Sequence, residues 1–132
     1  MKSRQNIWLL PLLLLFLTGC SDNLTPSEVC QRYLETVREG NYSSAYELLT
    51  GDSQLKISRS DFGDRLARAK QDSGIIRTEI LKVNRDSTIV GKRASVTYQL
   101  EITLQSGQKL NLFEAMVLLQ QDNGWRVIWP PQ

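Results

Sequence analysis

Cys20 is the residue of this sequence whose surroundings point most clearly to a chemical reaction. It follows Leu17-Thr18-Gly19 at the end of an apolar run that begins at Ile7, and two basic residues precede that run. A basic start, an apolar stretch and small residues before a cleavage point are the layout of a secretory signal. With a cysteine at this position the pattern is a lipobox, which predicts cleavage before Cys20 and its acylation.

The predicted signal divides the chain into three parts. Residues 1–19 form the signal peptide, residues 20–24 a short lipidated tether, and residues 25–132 a single domain. The apolar run is too short for a membrane-spanning helix, which needs ~20 residues, whereas two or more acyl chains such as palmitate hold a protein stably at a bilayer. We therefore expect an extracytoplasmic lipoprotein, anchored to the bacterial membrane through acylated Cys20.

The charge balance gives no reason to expect nucleic acid as a partner. Lys2 and Arg4 are two of the 16 Lys and Arg residues, and they lie in the predicted signal, which leaves 14 cations against 14 Asp and Glu residues. A neutral domain has no electrostatic footprint for an anionic polymer. Acylation of Cys20 would leave Cys30 without a partner in the chain, and its position on an apolar helix face predicts a buried core thiol.

Catalytic chemistry has few candidates in this sequence. Histidine is absent, which removes the commonest general base and the most frequent zinc ligand. Ser53-Gln54-Leu55-Lys56 matches a Ser-x-x-Lys nucleophile motif, but the motifs that accompany it in that chemistry are missing or out of order, so we interpret the match as chance. The sequence predicts no catalytic residue, no metal site and no cofactor.

Three helix starts can be located in the first half of the predicted domain. Thr25-Pro26-Ser27-Glu28 combines a capping Thr, a Pro at the first helical position and a Glu three residues after the Thr. Asn41 is placed to cap a second helix that runs to Thr50-Gly51, and Ser58 to cap a third that ends before Gly74. Apolar residues recur at spacings of three and four in each segment, so each helix has one face for a core.

Beyond Gly74 the apolar period shortens to two, which indicates strands. Strands are predicted over 75–83, 94–104, 110–119 and 125–129, with turns at 84–87, 106–107 and 122–124. The strand over 110–119 is apolar on both faces. We expect its Phe113 side to face a pocket and Glu114 to point away, with the strand central or covered by a partner. Helices followed by antiparallel strands predict an α+β fold, with the helices on one face of a meandering sheet.

Three stretches resemble a known family: Tyr33-Leu34 with Gly40-Asn41-Tyr42 and 45–49, then 58–62, then Gly124-Trp125-Arg126-Val127-Ile128-Trp129-Pro130. Together they are similar to the nuclear transport factor two-like domain at the N-terminus of some penicillin-binding transpeptidases, and to small domains of bacterial lipoproteins. The resemblance covers Thr25 to Pro131. It implies a cone-like fold in which N-terminal helices pack on a curved antiparallel sheet, with a non-catalytic spacer or binding role.

Three functions stay open from the sequence. The first is a lipid-anchored, non-enzymatic accessory or binding domain of the bacterial cell envelope. The second is a carrier of a small apolar ligand, or an enzyme like the isomerases that share the cone, with Glu114 as the available base. The third is a protein-interaction module that uses the outer sheet face, for an envelope protein partner or for self-association. The residues expected to line a pocket are aromatic: Tyr33, Tyr46, Tyr98, Trp125 and Trp129.

Overall fold

The computed structural model describes residues 23–131, so the predicted signal and the lipobox at 17–20 lie outside the described residues. Within 23–131, four helices precede five strands. The helices are α1 Pro26–Arg38, α2 Tyr42–Glu47, α3 Gly51–Lys56 and α4 Arg59–Ser73. The strands are β1 Ile75–Val83, β2 Thr88–Val90, β3 Arg93–Leu104, β4 Lys109–Gln121 and β5 Gly124–Val127. The predicted order of helices before strands is confirmed.

The sheet is antiparallel and curls into a half-barrel against which the helices pack. Its strands lie in the order β1-β3-β4-β5, and the short strand β2 also pairs with β3, at its start. The β3-β4 pair is the longest, because its register runs from Arg93 opposite Leu119 to Thr103 opposite Lys109. The predicted α+β fold, with N-terminal helices packed on a curved antiparallel sheet, is confirmed.

The three predicted helix starts are confirmed by their caps. The Thr25 hydroxyl accepts the Glu28 N–H at 3.2 Å, and the Glu28 carboxylate accepts the Thr25 N–H at 3.2 Å, which is a complete capping box. The side chains of Asn41 and Ser58 cap α2 and α4 in the same way. Gly74 follows α4 in the left-handed conformation, with φ of 69°, which a residue with a Cβ adopts at a cost.

The prediction of one helix from Tyr42 to Thr50-Gly51 is wrong. Helix α2 ends at Glu47, because the backbone beyond it pairs with β5: the Val127 N–H donates to the Leu48 carbonyl at 2.8 Å, and the Thr50 N–H donates to the Val127 carbonyl at 2.9 Å. Thr50 then caps the six-residue helix α3. Helix α3 and the three-residue strand β2 were not predicted, because neither carries an apolar period.

The register predicted for β4 is also wrong. Met116 and Leu118 are buried in the core, whereas Phe113 keeps 75% of its surface exposed. Since alternate residues of a strand face opposite sides, the Phe113 side is the outer face, and Glu114 shares the inner face with Met116. Glu114 lies opposite Tyr98 of β3 in the sheet.

The core lies between α1, α4 and the inner sheet face. Cys30 is fully buried there, as predicted, among neighbours that include Val29, Val96 and Leu118. Helix α1 contributes Val29, Cys30 and Leu34 from the apolar stripe that the sequence shows. None of the helices within 23–131 is long and apolar enough to cross a membrane.

Candidate functional site: an apolar cavity at one end of the half-barrel

An open cavity of about 590 Å³ lies between the helices and the inner face of the sheet. The C-terminal turns of α1 and α4 form one wall, and β1, β3 and β4 form the other. This volume falls within the range of ~300–1,000 Å³ that is typical of small-molecule sites. The lining residues are mostly aliphatic: Leu34, Val37, Arg38, Tyr42, Leu66, Ala69, Lys70, Ser73, Ile75, Ile76, Arg77, Thr78, Ile80, Leu100, Ile102 and Leu112.

The sheet wall of the cavity is a row of aliphatic side chains across three strands. Ile80 of β1 lies opposite Leu100 of β3, and Leu100 lies opposite Leu112 of β4. Directly opposite residues in an antiparallel sheet have Cβ atoms ~4.5–5.5 Å apart on the same face. Thr78 and Ile102 pair in the same way one step along. The inner face therefore presents a continuous apolar floor.

The helix wall follows from the spacing of residues on α4. Leu66, Ala69, Lys70 and Ser73 are separated by three, one and three positions, which places them on one helix face. Ala69 and Ser73 are small, so the helix approaches the sheet without filling the space between them. Apolar side chains around an open volume are suited to binding an apolar ligand, because contact removes their surfaces from water.

Few of the side chains that line the cavity could act as an acid or a base. It holds the hydroxyl groups of Tyr42, Ser73 and Thr78, together with three cations, and no carboxylate lies among the described residues of the cavity wall. The described part of the chain also shows no cluster of three or more Cys, Asp or Glu side chains that could hold a metal ion. The geometry supports binding by apolar contact.

Two of the predicted pocket aromatics, Tyr46 and Trp129, lie outside this cavity, beside Phe62 in the first turn of α4. Both are buried against Phe62, whose ring centroid is 5.6 Å from that of Tyr46 and 5.5 Å from that of Trp129. The Tyr46 hydroxyl reaches the carbonyl oxygens of Ile57 at 2.9 Å and Gln54 at 3.0 Å. These aromatics fill space between the helices and the last strand, away from the cavity.

Tyr33 and Tyr98 form a second group, next to Cys30. Burial is the main cause that raises the pKa of Tyr98 to about 12, and the nearby Glu114 and Cys30 contribute to the same shift. Burial also raises the pKa of Tyr33 well above its usual range, and that of the Cys30 thiol to about 12. All three groups are therefore protonated at neutral pH. The structure brings the two tyrosines together with Glu114, but none of the three belongs to the cavity wall.

Trp125, the fifth predicted aromatic, is half-buried on β5 and packs against the core. The structure thus distributes the five aromatics over three places. The residues that do line the cavity were missed by the sequence analysis, which favoured large aromatic side chains. The available signal was the combination of Leu66 with the small residues Ala69 and Ser73 on one face of α4.

The Ser53 to Lys56 motif has a structural role in the fold. Ser53 is 2% exposed, its hydroxyl lies 2.7 Å from the Thr50 hydroxyl, and it accepts the backbone N–H of Trp129 at 3.0 Å. The hydroxyl therefore joins α3 to the segment after β5. Lys56 is exposed at the end of α3. These contacts support the interpretation of the motif as a chance match.

Comparisons with known proteins agree with this architecture. Penicillin-binding protein 3 of Bacillus subtilis (strain 168) is 20% identical over 123 residues, which cover 89% of this chain and 18% of that protein. The chain therefore spans less than a fifth of that relative's length.

Solved structures show the same fold at low sequence identity. A SEC-C motif-containing protein from Rhodopseudomonas palustris has a TM-score of 0.58 at 10% identity, covering 79% of this chain and 75% of that one. A protein with a ketosteroid isomerase-like fold from Catenulispora acidiphila, in complex with trimethylamine, has a TM-score of 0.53 at 13% identity, covering 80% and 85%.

The family of NTF2-like N-terminal transpeptidase domains matches residues 25–132. That range contains every helix and strand described above, the apolar cavity included. The chain therefore belongs to the family of NTF2-like N-terminal transpeptidase domains.

Proposed function

We propose that this protein is a lipid-anchored, non-enzymatic binding domain of the bacterial cell envelope, and that its ligand site is the apolar cavity. The observation that carries the proposal is the cavity itself: about 590 Å³ of open space between α1, α4 and the sheet, with mostly aliphatic walls. Apolar contact contributes ~25 cal/mol per Å² of surface removed from water. A site of this kind holds its ligand by contact area.

An isomerase-like reaction would need a general base that faces the bound ligand. Glu114 lies on the inner face of the sheet beside Tyr98, but it is exposed and does not line the cavity. Tyr98 has its pKa raised to about 12, so its hydroxyl stays protonated at neutral pH. A base must reach the proton that it removes, within ~2.6–3.2 Å or through one water. Glu114 and Tyr98 line a separate depression of about 550 Å³, so the apolar cavity itself has no general base, which supports a binding role for that cavity.

The anchor in this proposal is the predicted acylation of Cys20. The four residues from Ser21 to Leu24 reach at most ~3.5 Å each when extended, so the start of α1 would lie close to the bilayer. Helix α1 has 13 residues, which gives a length of ~20 Å. The cavity opens at the C-terminal end of α1. It would therefore lie about one helix length further from the anchored end.

The anchoring can be tested on the full chain expressed in bacteria. Mass spectrometry of the N-terminal peptide is expected to show acylated Cys20, and the protein is expected in the membrane fraction. The matched variant Cys20→Ala lacks the lipobox cysteine, so it should carry no lipid and should keep the peptide that begins at Met1. An intact Met1 or an unmodified Cys20 in the unaltered chain would contradict the anchoring.

The cavity can be tested with two alanines of the same helix. Both alanines are exposed, but Ala69 borders the cavity, whereas Ala67 lies on another face of α4 and does not line it. We expect Ala69→Trp to fill the space and abolish labelling of the cavity peptides by a photoreactive long-chain alcohol in vesicles that hold the full chain. Ala67→Trp should label like the unaltered chain. Equal labelling of both variants would place the ligand elsewhere.

A second candidate function is a protein-interaction module on the outer face of the sheet. Phe113 is 75% exposed there, and within the described residues β5 pairs only with 118–121 of β4, which leaves the first half of β4 as a sheet edge. Exposed apolar edges are sites of strand pairing. Sedimentation of the full chain, against a Phe113→Asp variant, tests this: loss of an assembled species in the variant would support self-association.

A further inference from the structure

We propose that the ligand of the apolar cavity is an anionic amphiphile, with its alkyl chain inside the cavity and its acidic headgroup at Arg38 and Lys70. This inference rests on the proposed function, since it specifies the ligand of the same site. The ligand class is defined by its chemistry: an extended hydrocarbon chain that ends in a carboxylate or a phosphate. The hydrocarbon chain of such a molecule complements the aliphatic walls of the cavity, and its acidic headgroup complements the two cations.

The two cations lie at equivalent positions of the two helices that form the wall. Arg38 follows the cavity residues Leu34 and Val37 on α1, and Lys70 follows Leu66 and Ala69 on α4. Each cation thus lies directly after two apolar residues that line the cavity. Both are in the last turns of their helices and are exposed. A charged headgroup bound there would stay in contact with water while its chain is buried.

Neither cation is neutralised by a carboxylate within the described chain. The ion pairs there join Arg59 to Glu47, Arg77 to Glu79 and Lys109 to Glu101, and none involves Arg38 or Lys70. Arg77 also borders the cavity, but its pairing with Glu79 at 3.8 Å engages its charge. Arg38 and Lys70 are therefore available to a ligand.

The partial negative charges at the C-terminal ends of the two helices oppose the binding of an anion, but they are smaller than the charges of the two cations. The C-terminus of a helix carries the equivalent of about half a negative charge, and α1 and α4 both end at the cavity. Two full positive charges exceed two half charges of opposite sign, and the described cavity wall contributes no carboxylate. The mouth of the cavity is therefore positive overall, which complements an anionic headgroup.

The experiment compares two photoreactive probes that differ only in the headgroup. A long-chain carboxylate that carries a diazirine in its chain, and the alcohol of the same chain, are added to phosphatidylcholine vesicles that hold the full protein. After irradiation, mass spectrometry quantifies labelled peptides from the ends of α1 and α4 and from β1. Each protein variant sees the same amount of probe in the bilayer, so differences between variants report the protein site.

We expect the double variant Arg38→Gln and Lys70→Gln to raise the carboxylate concentration needed for half-maximal labelling by about tenfold, the effect of two exposed ion pairs. Labelling by the alcohol should change less than twofold. The control variant Arg85→Gln and Lys92→Gln removes two exposed cations outside the cavity, and should leave both probes unchanged.

The outcomes separate this inference from the function on which it rests. Equal labelling by the two probes, unaffected by the Arg38 and Lys70 substitutions, would overturn the anionic headgroup while the cavity remains a binding site. Failure of both probes to label the cavity peptides of the unaltered chain would overturn the binding function, and this inference with it. A loss of carboxylate labelling in the Arg85 and Lys92 control would assign the effect to net charge, and would also overturn the inference.

Discussion

The two ends of the half-barrel are built from different side chains. At the end that we call closed, around Phe62, aromatic rings from α2, α4 and the segment after β5 pack directly on one another, and Phe62 is fully buried. A depression of about 720 Å³ adjoins this cluster at Trp129, but most of the residues that line it are polar or charged. At the open end, around the cavity, the walls are aliphatic, and Ile76 is 61% exposed. The same two layers of helix and sheet thus form a packed aromatic cluster at one end and an apolar cavity at the other.

One helix accounts for much of this difference. The inner face of α4 carries Phe62, then Leu66, then Ala69 and Ser73, so its side chains shrink from the closed end to the open end. A core filled to the usual density leaves no space larger than a water molecule. Where the helix face changes from phenylalanine to alanine and serine, that density is lost and the cavity begins. We therefore expect the closed end to contribute most of the stability, and the open end is the site at which we propose binding.

Truncation of Phe62 should show the largest contrast between the ends. Phe62→Ala removes the ring that contacts both Tyr46 and Trp129, and buried Phe→Ala changes cost about 3–5 kcal/mol of unfolding free energy. Leu66→Ala, one turn along, faces the open space and should cost about 1 kcal/mol, because that side chain is only partly buried. Urea unfolding measures both. Equal losses would contradict the division into a packed end and an open end.

A serine at each end gives the next contrast. The buried Ser53 hydroxyl accepts the Trp129 N–H, so Ser53→Ala leaves a buried donor unsatisfied, at about 1–3 kcal/mol. Ser73 is exposed, and its hydroxyl donates to the Lys70 carbonyl and accepts the Ile75 N–H. Water can replace both contacts there, so Ser73→Ala should change stability by less than about 0.5 kcal/mol. The thermal midpoints of the two variants would rank them. If Ser73→Ala lowered the thermal midpoint as much as Ser53→Ala does, the open end would contribute as much to stability as the closed end.

The buried groups of Cys30 and Tyr98 should make the stability of the protein fall as the pH rises into the alkaline range. Burial raises the pKa of Cys30 from 9.0 to about 12 and contributes to raising that of Tyr98 from 10.0 to about 12. Since the folded pKa is the higher one, the stabilisation is fully present below the unfolded pKa and is lost as the pH rises towards the folded pKa. The thiol alone should cost about 1 kcal/mol between pH 9 and pH 10.

This dependence can be measured by urea unfolding of the unaltered chain and of Cys30→Ala at pH 7, 8, 9 and 10. The unaltered chain should be equally stable at pH 7 and about pH 8, and should lose stability above pH 9. The variant should start lower, because it leaves a small cavity, but should lose less between pH 9 and pH 10. Identical pH profiles for the two proteins would show that the thiol does not titrate in this range.

Local signals predicted the helix starts and the turns, because those structures depend on residues near in sequence. Thr25, Asn41 and Ser58 each satisfy a backbone N–H three residues on, and such a contact needs no tertiary information. The end of α2 is different. Leu48 has the burial of a helix-face residue, but its carbonyl bonds to Val127, which is 79 positions away. A partner so distant leaves no trace in the local pattern.

The register of β4 and the cavity could not be predicted for related reasons. Apolar residues occupy both faces of β4, so alternation alone does not show which face is inside; pairing with β3 places Met116 and Leu118 in the core and Phe113 outside. The cavity is a space left by small residues on one helix and bounded by strands far along the chain. An apolar sequence pattern indicates which side chains are buried in a core. It does not indicate where the side chains leave a cavity.

The smallest expected effect on stability comes from filling the open end. Ala69→Trp places a large ring in the cavity, where the walls leave about 590 Å³ free. Overpacking a filled core costs ~1–3 kcal/mol, but here the ring meets open space and aliphatic walls. We expect a change of less than about 0.5 kcal/mol in either direction.

Urea unfolding of this variant beside Ala67→Trp, which adds the same ring on an exposed face of α4, provides the matched comparison. A loss above ~1 kcal/mol for Ala69→Trp alone would indicate that the open end is packed in solution, and the binding site would then have to lie elsewhere.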